Sequence, residues 1–177
     1  MIRAALARRV VHIAVGGGAF LLPLLAWQTS LCICMAAALF NLFVLSRRPW
    51  LARADGRGAV GLTAYPLVIA LLLLLFRDDY APVQAAWVAM AVGDGLAPLL
   101  AVRGTEWAWN TRKSWVGSGA AFCVCALVLL ALLPPPLALA AAAAGCIAES
   151  LPLPWDDNLS VPLAAASALC VVRWSCA

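Results

Sequence analysis

The sequence predicts an all-α integral membrane protein, a single bundle of about seven transmembrane helices occupying residues 1–177 with its N-terminus cytoplasmic. Three observations carry that expectation. Hydrophobic residues make up 66% of the 177 and charged residues 11%, with a mean hydropathy of +0.98, where an ordinary soluble domain is about half apolar and a quarter charged. The apolar residues gather into seven runs, which suits spans of about 20 residues joined by short loops. When the runs are threaded as spans, most of the 12 basic residues fall on one side, the side that short Lys- and Arg-rich loops mark as cytoplasmic.

The first run, residues 10–27, ends at Gln28-Thr29. It is read as a helix and not as a cleaved signal peptide, because no small-residue cleavage site follows it. The second, 30–45, gives way to a basic stretch from Arg47 to Arg57, and the third, 60–76, stops at Arg77-Asp78-Asp79. A fourth run, 81–102, leads into the polar stretch 103–114; a fifth, 116–133, ends at Pro134-Pro135-Pro136. The sixth and seventh, 135–148 and 159–172, each give about 21 Å of helix against a hydrocarbon core of about 30 Å. The polar stretch between them is therefore expected to dip inward under the cover of other helices. In this threading Arg3, Arg8, Arg9, Arg47, Arg48, Arg53, Arg57, Arg103, Arg112 and Lys113 lie inside, and only Arg77 and Arg173 outside.

Six of the seven cysteines, Cys32, Cys34, Cys123, Cys125, Cys146 and Cys170, lie in apolar stretches and read as small hydrophobic residues. The two Cys-X-Cys pairs lack a nearby histidine or further cysteine to complete a metal site. No internal repeat is visible, and no nucleic-acid partner is expected.

With so little polar material, each polar cluster is informative. Gly93-Asp94-Gly95 interrupts the fourth apolar run, with Asp94 about 13 Å along a helix from Arg103. A carboxylate at such depth is costly and usually faces a functional interior, and the flanking glycines let a backbone or ligand approach closely. The bland alternative is a helix kink packed on an arginine. Asn110-Thr-Arg-Lys-Ser-Trp-Val-Gly-Ser118 ends where the fifth run begins. Lys113 supplies a point charge for phosphate, and hydroxyls with free N–H groups at a helix N-terminus are natural anion ligands; the bland alternative is a basic loop followed by a serine cap. Glu149-Ser-Leu-Pro-Leu-Pro-Trp-Asp-Asp-Asn158 brings three carboxylates to the same face. Carboxylates beside a basic anion-binding loop are what Mg²⁺, or another divalent cation, bound to a triphosphate requires. His12, the single histidine, lies three residues after Arg9 and reads either as an interfacial group or as a further site residue. Arg47-Arg48-Pro49-Trp50 and Trp107-Ala108-Trp109 read as interface anchors.

Taken in order, Arg9-Val-Val-His12, Gly93-Asp94-Gly95-X-Ala97, Arg103-Gly104, Asn110-X-X-Lys113-Ser114-Trp-X-Gly117-Ser118 and Glu149-Ser-Leu-Pro through Asp157-Asn158-X-X-Val161-Pro162 resemble the polyprenol kinase family, nearest its phytol kinase and farnesol kinase branch. The resemblance covers most of the chain from the fourth run onward, with a weaker match at the N-terminus. It implies a membrane-embedded lipid-alcohol kinase that uses CTP, or in some members another nucleoside triphosphate, with a divalent metal. Residue by residue, it implies that Gly93, Gly95, Asn110, Lys113, Ser114, Gly117, Ser118 and Asn158 bind the nucleotide. Asp94, Glu149 and Asp157 are implied to hold the metal, and Asp94, Lys113 and Asp157 to act in catalysis, with Arg9, His12 and Arg103 as further candidates. Pro98 stands where relatives often carry an acidic residue, so one metal ligand of the family is missing. The expected partners are a nucleoside triphosphate, a prenyl alcohol drawn from the bilayer, and membrane lipids.

Two other readings compete. A membrane lipid cytidylyltransferase also binds CTP but releases pyrophosphate where a kinase releases CDP, and its basic and acidic C-terminal signature is not evident. A small transporter would use Asp94 as part of a substrate or proton path, yet the charged residues cluster on one side. The particular alcohol, the choice of CTP over ATP or UTP, and the oligomeric state are not encoded in the pattern.

Overall fold

The computed structural model describes residues 10–47, 58–95 and 106–175, apart from the side chains at 46, 58–60, 94 and 112. The chain begins with a short helix α1 (10–16), followed by two 3-10 turns, Gly17–Phe20 and Leu22–Leu24. Helix α2 runs over Trp27–Phe43, α3 over Gly58–Leu75 and α4 over Tyr80–Gly95. A two-stranded antiparallel hairpin, β1 (Glu106–Trp107) and β2 (Asn110–Ser114), leads into α5 (Trp115–Leu130). Helices α6 (Pro135–Ser150) and α7 (Asp157–Ser175) complete the described chain.

Helix α4 is the hub. It packs against α3, α5, α6 and α7, and the segment from Val83 through Val92 is buried on every side, as expected of a helix that is apolar all round. Small residues allow the closest contacts. Ala138, Ala141, Ala142, Gly145 and Ala148 recur at three- and four-residue spacing along α6 and are all buried. A Cβ on Gly145 would sit 3.0 Å from the Ala89 Cβ on α4, so this crossing tolerates no larger residue without repacking. Helix α7 answers with Val161, Ala165, Ala166 and Leu169.

Local chemistry sets the boundaries. Ser114 caps α5, its Oγ accepting from the Gly117 N–H at 3.1 Å. Pro134 ends the preceding turn, and proline at the first turn of α6 loses no helical hydrogen bond. The Asp79 side chain accepts from Ala81 N at 3.1 Å at the start of α4, and Asp156 does the same for Asn158 N at 3.0 Å at the start of α7. Short connections then make neighbouring helices antiparallel. The ends of α4 and α6 therefore meet the starts of α3, α5 and α7 at one end of the bundle, while Arg173 pairs with Asp79 at the other.

The membrane expectation is corrected by this architecture. No helix among the described residues is long and apolar enough to cross a membrane, so neither the bundle of spans nor the multi-pass localisation with a cytoplasmic N-terminus stands. The helices α2, α4, α5 and α6 have 17, 16, 16 and 16 residues, about 24–26 Å at roughly 1.5 Å per residue, short of a hydrocarbon core of about 30 Å. Helix α7 opens on Asp157-Asn158 and closes on Arg173-Trp174-Ser175. The expected first span, 10–27, is not one helix. Gly16, Gly17 and Gly18 remove the side chains that would rigidify it, Pro23 removes an N–H, and Leu25 and Ala26 are extended before α2 begins. Gly16 lies directly against Ala91 of α4, where no side chain fits. The apolar excess is shared between the buried core and an exterior that still shows Leu24, Leu75, Leu127, Ile147 and Val171.

Candidate functional site

Lys113 is the centre of a polar cluster at the end of the bundle where α4 and α6 finish. It occupies the penultimate position of β2, and the hairpin fixes its direction: β1 pairs with β2 in a register that sets Trp107 opposite Asn110. An aromatic stack holds the hairpin to the first turn of α5, with the Trp107 ring centroid 3.4 Å from Trp115 and 4.7 Å from Trp109. Trp107 Nε1 also donates to Ser118 Oγ at 3.1 Å. The two tryptophans read as interface anchors are therefore structural parts of the site's support.

From this position the Lys113 Nζ donates to Glu149 Oε1 at 2.7 Å and to Asp157 Oδ2 at 3.3 Å. Glu149 comes from the last turn of α6 and is 3% exposed, Asp157 from the first turn of α7 at 33%, and Lys113 is 23% exposed. Burial disfavours the Lys113 charge, but the two carboxylates outweigh it and raise its pKa above the ordinary lysine value.

The surrounding groups arise from the other predicted motifs. Asn110, on the same strand as Lys113, donates through Nδ2 to the Ser150 carbonyl at 3.1 Å, tying β2 to the end of α6. Gly93 of α4 faces Glu149: a Cβ there would lie 3.3 Å from Oε2, so the missing side chain gives the carboxylate its room. Asn158, 3% exposed, donates through Nδ2 to the Gly61 carbonyl of α3 at 3.1 Å, while its Oδ1 is buried without a hydrogen-bond donor among the described residues. Gly61 in turn has the Asp156 Oδ2 3.1 Å from where its Cβ would be.

Of the residues expected at the site, Gly93, Lys113, Glu149 and Asp157 meet, Asn110 is tied to the Ser150 carbonyl next to Glu149, and Asn158 follows Asp157 with its amide on Gly61. Ser114, Gly117 and Ser118 lie next to them, but their polar groups are engaged: Ser114 Oγ with Gly117 N, and Ser118 Oγ with Trp107. Gly95 is the last residue of α4. His12 packs edge-on against Tyr65, with ring centroids 4.3 Å apart. The Asp94 side chain, Arg9 and Arg103 lie outside the described residues. Neither Gly61 nor Asp156 is singled out by the sequence, in which Trp107 reads only as an interface anchor. Asp156 sat within a recognised cluster, whereas nothing near Gly61 in the sequence signals its role.

Among the described residues, no group of three or more His, Cys, Asp or Glu side chains is placed to hold a metal ion. The cysteines do not supply one. Cys32 and Cys34, like Cys123 and Cys125, split into an exposed and a buried partner, and burial pushes the Cys34 thiol to about 11 and the Cys125 thiol to about 12. Carboxylate oxygens are the donor type that a hard cation such as Mg²⁺ takes, and those of Glu149 and Asp157 are engaged by Lys113.

Fold and site together define a helical bundle with a polar, lysine-centred cluster at one end. No protein-family model, curated protein or solved structure matches the chain.

Proposed function

We propose that this protein is a CTP-dependent kinase of a polyisoprenoid alcohol, transferring the terminal phosphoryl group of the nucleotide to the alcohol oxygen at the Lys113–Glu149–Asp157 cluster. The observation that carries the reading is the convergence of residues from three separate elements, β2, α6 and α7, onto one ammonium at 2.7 and 3.3 Å. These residues are 36 and 44 positions apart in the chain, and they belong to the motifs whose order resembles the polyprenol kinases. A buried ion pair contributes little net stability compared with apolar packing of the same volume, so a cluster of this kind in so apolar a chain fits a functional purpose better than a structural one.

The chemistry follows from the groups present. Phosphoryl transfer depends mainly on positioning and on neutralising charge. Lys113 neutralises charge on the transferring phosphoryl group, moving from its carboxylate partners to the phosphate oxygens. Asp157, the more exposed of the two carboxylates, accepts the proton of the attacking hydroxyl. The oxygen–phosphorus bond to the acceptor forms as the bond to the β-phosphate breaks, leaving CDP. Glu149, Asp157 and Asn158 Oδ1 are the groups that would hold a divalent cation, whose contribution is to bind and polarise the nucleotide phosphates. Gly93 keeps space beside Glu149, and Asn110 holds the hairpin in register with α6.

Product analysis tests this directly. Purified protein given CTP, Mg²⁺ and phytol or geranylgeraniol is expected to form CDP and the alcohol monophosphate. Release of pyrophosphate with a cytidylyl-lipid product would assign the chain to nucleotidyl transfer instead.

A further inference from the structure

A cavity of about 180 Å³ lies between α1, α2, α3 and α4, and Lys113, Glu149 and Asp157 are not among its lining residues. Its walls include Val11 and Val15 of α1, Ile33 and Ala37 of α2, and Leu62 and Ile69 of α3. Its polar lining residues include His12, Asn41, Tyr65 and Trp87. Asn41 Nδ2 donates to the Leu62 carbonyl at 2.6 Å, and Trp87 Nε1 donates to the Tyr65 hydroxyl at 2.9 Å. A ligand inside therefore meets mainly hydrocarbon and aromatic edge. Along α3 the cavity extends from Leu62 to Ile69, about 10 Å of helix.

Its position gives it meaning. Leu62 directly follows Gly61, whose carbonyl accepts from Asn158 and whose missing side chain leaves Asp156 close by. One end of the apolar slot, at Leu62, thus lies one residue from the Gly61 contacts with Asn158 and Asp156, and the other reaches Ile69 and Trp87. That is the shape required by an amphiphile with a single hydroxyl head and a branched hydrocarbon tail. Cavities of roughly this size lined by aliphatic and aromatic groups stay dry and take up apolar molecules.

We propose that this slot binds the hydrocarbon chain of the prenyl alcohol, with the hydroxyl at the Gly61–Asn158 end facing Asp157. The inference rests on the kinase reading for the identity of the head-group chemistry but not for the location of the tail. A second cavity of about 290 Å³, on the other side of α1 beside Phe20, Val88 and Val124, is the principal competitor.

The test is photo-crosslinking of the full chain with a diazirine-bearing geranylgeraniol, followed by peptide mapping, and in parallel a CDP-release assay. Adducts within residues 11–15, 33–37 and 62–69, competed by unlabelled geranylgeraniol, are expected. Ala37→Phe, which fills the slot away from Lys113, should reduce labelling about tenfold or more and shift the preferred acceptor to a shorter alcohol while leaving the KM for CTP unchanged. The wild-type adduct map decides the matter even if that variant fails to fold. Adducts confined to Phe20, Val88 and Val124, or labelling that unlabelled alcohol does not compete, overturn the proposal. Adducts in the slot without CDP release uphold the binding site and remove the kinase reading; CDP release with adducts elsewhere does the reverse.

Discussion

At the scale of single residues, Lys113 decides the electrostatics of the cluster. Replacing it with methionine removes the only ammonium that Glu149 and Asp157 are shown to share. Breaking one side of a buried pair costs about 3–5 kcal/mol, so Lys113→Met should unfold at lower temperature. Lys113→Met combined with Glu149→Leu should recover most of that loss, because the buried charge leaves with its partner. Neither variant should transfer phosphoryl groups, and that split between stability and activity is read by thermal unfolding beside turnover. The pH dependence has a defined sign. The Lys113 pKa is raised by its carboxylates, so its stabilising contribution is complete below the unfolded lysine value of about 10.4 and fades as pH rises through the higher folded value. The gap in melting temperature between wild type and Lys113→Met should therefore stay constant from neutral pH to about 10 and narrow beyond it.

The elements show where the sequence could be read and where it could not. Apolar runs and their charged or proline punctuation place most of the helices, and the Pro134-Pro135-Pro136 break falls at the α5–α6 turn, as the pattern implies. The glycine triplet and Pro23 carry the information that the first run is broken, while its overall hydropathy alone points to one span. The hairpin was hidden because its strands have two and five residues, too short for alternation to register. What makes it form is tertiary, the stacking of Trp107 on Trp109 and Trp115. Trp107→Ala removes two ring contacts and the donor to Ser118, a cost of about 1–3 kcal/mol. Hydrogen exchange at residues 110–114 should accelerate in that variant, while the α6–α7 core, packed through small residues, keeps its protection.

For the whole molecule, the charged residues of the site were legible because an apolar chain makes each one conspicuous: Lys113, Glu149 and Asp157 were all identifiable, and they meet. Gly61 and Asp156 were not singled out, because their importance arises only when α3 is laid against the start of α7. The membrane reading failed for a related reason. Average hydropathy reports how much apolar surface a chain has, and here that surface is divided among helices of 16 to 19 residues packed around α4, which composition alone cannot distinguish from spans. What survives is a bundle whose helix ends bring an ammonium and two carboxylates to one place.

The central claim is that this place moves a phosphoryl group, and the most direct measurement is transfer from CTP labelled in its terminal phosphate to geranylgeraniol by the wild-type chain and by Asp157→Asn. The account predicts that label appears in the alcohol monophosphate with wild type and falls by about 100-fold or more in the variant, as expected on losing a general base. Label transferred equally well by both proteins, or by neither, would contradict it.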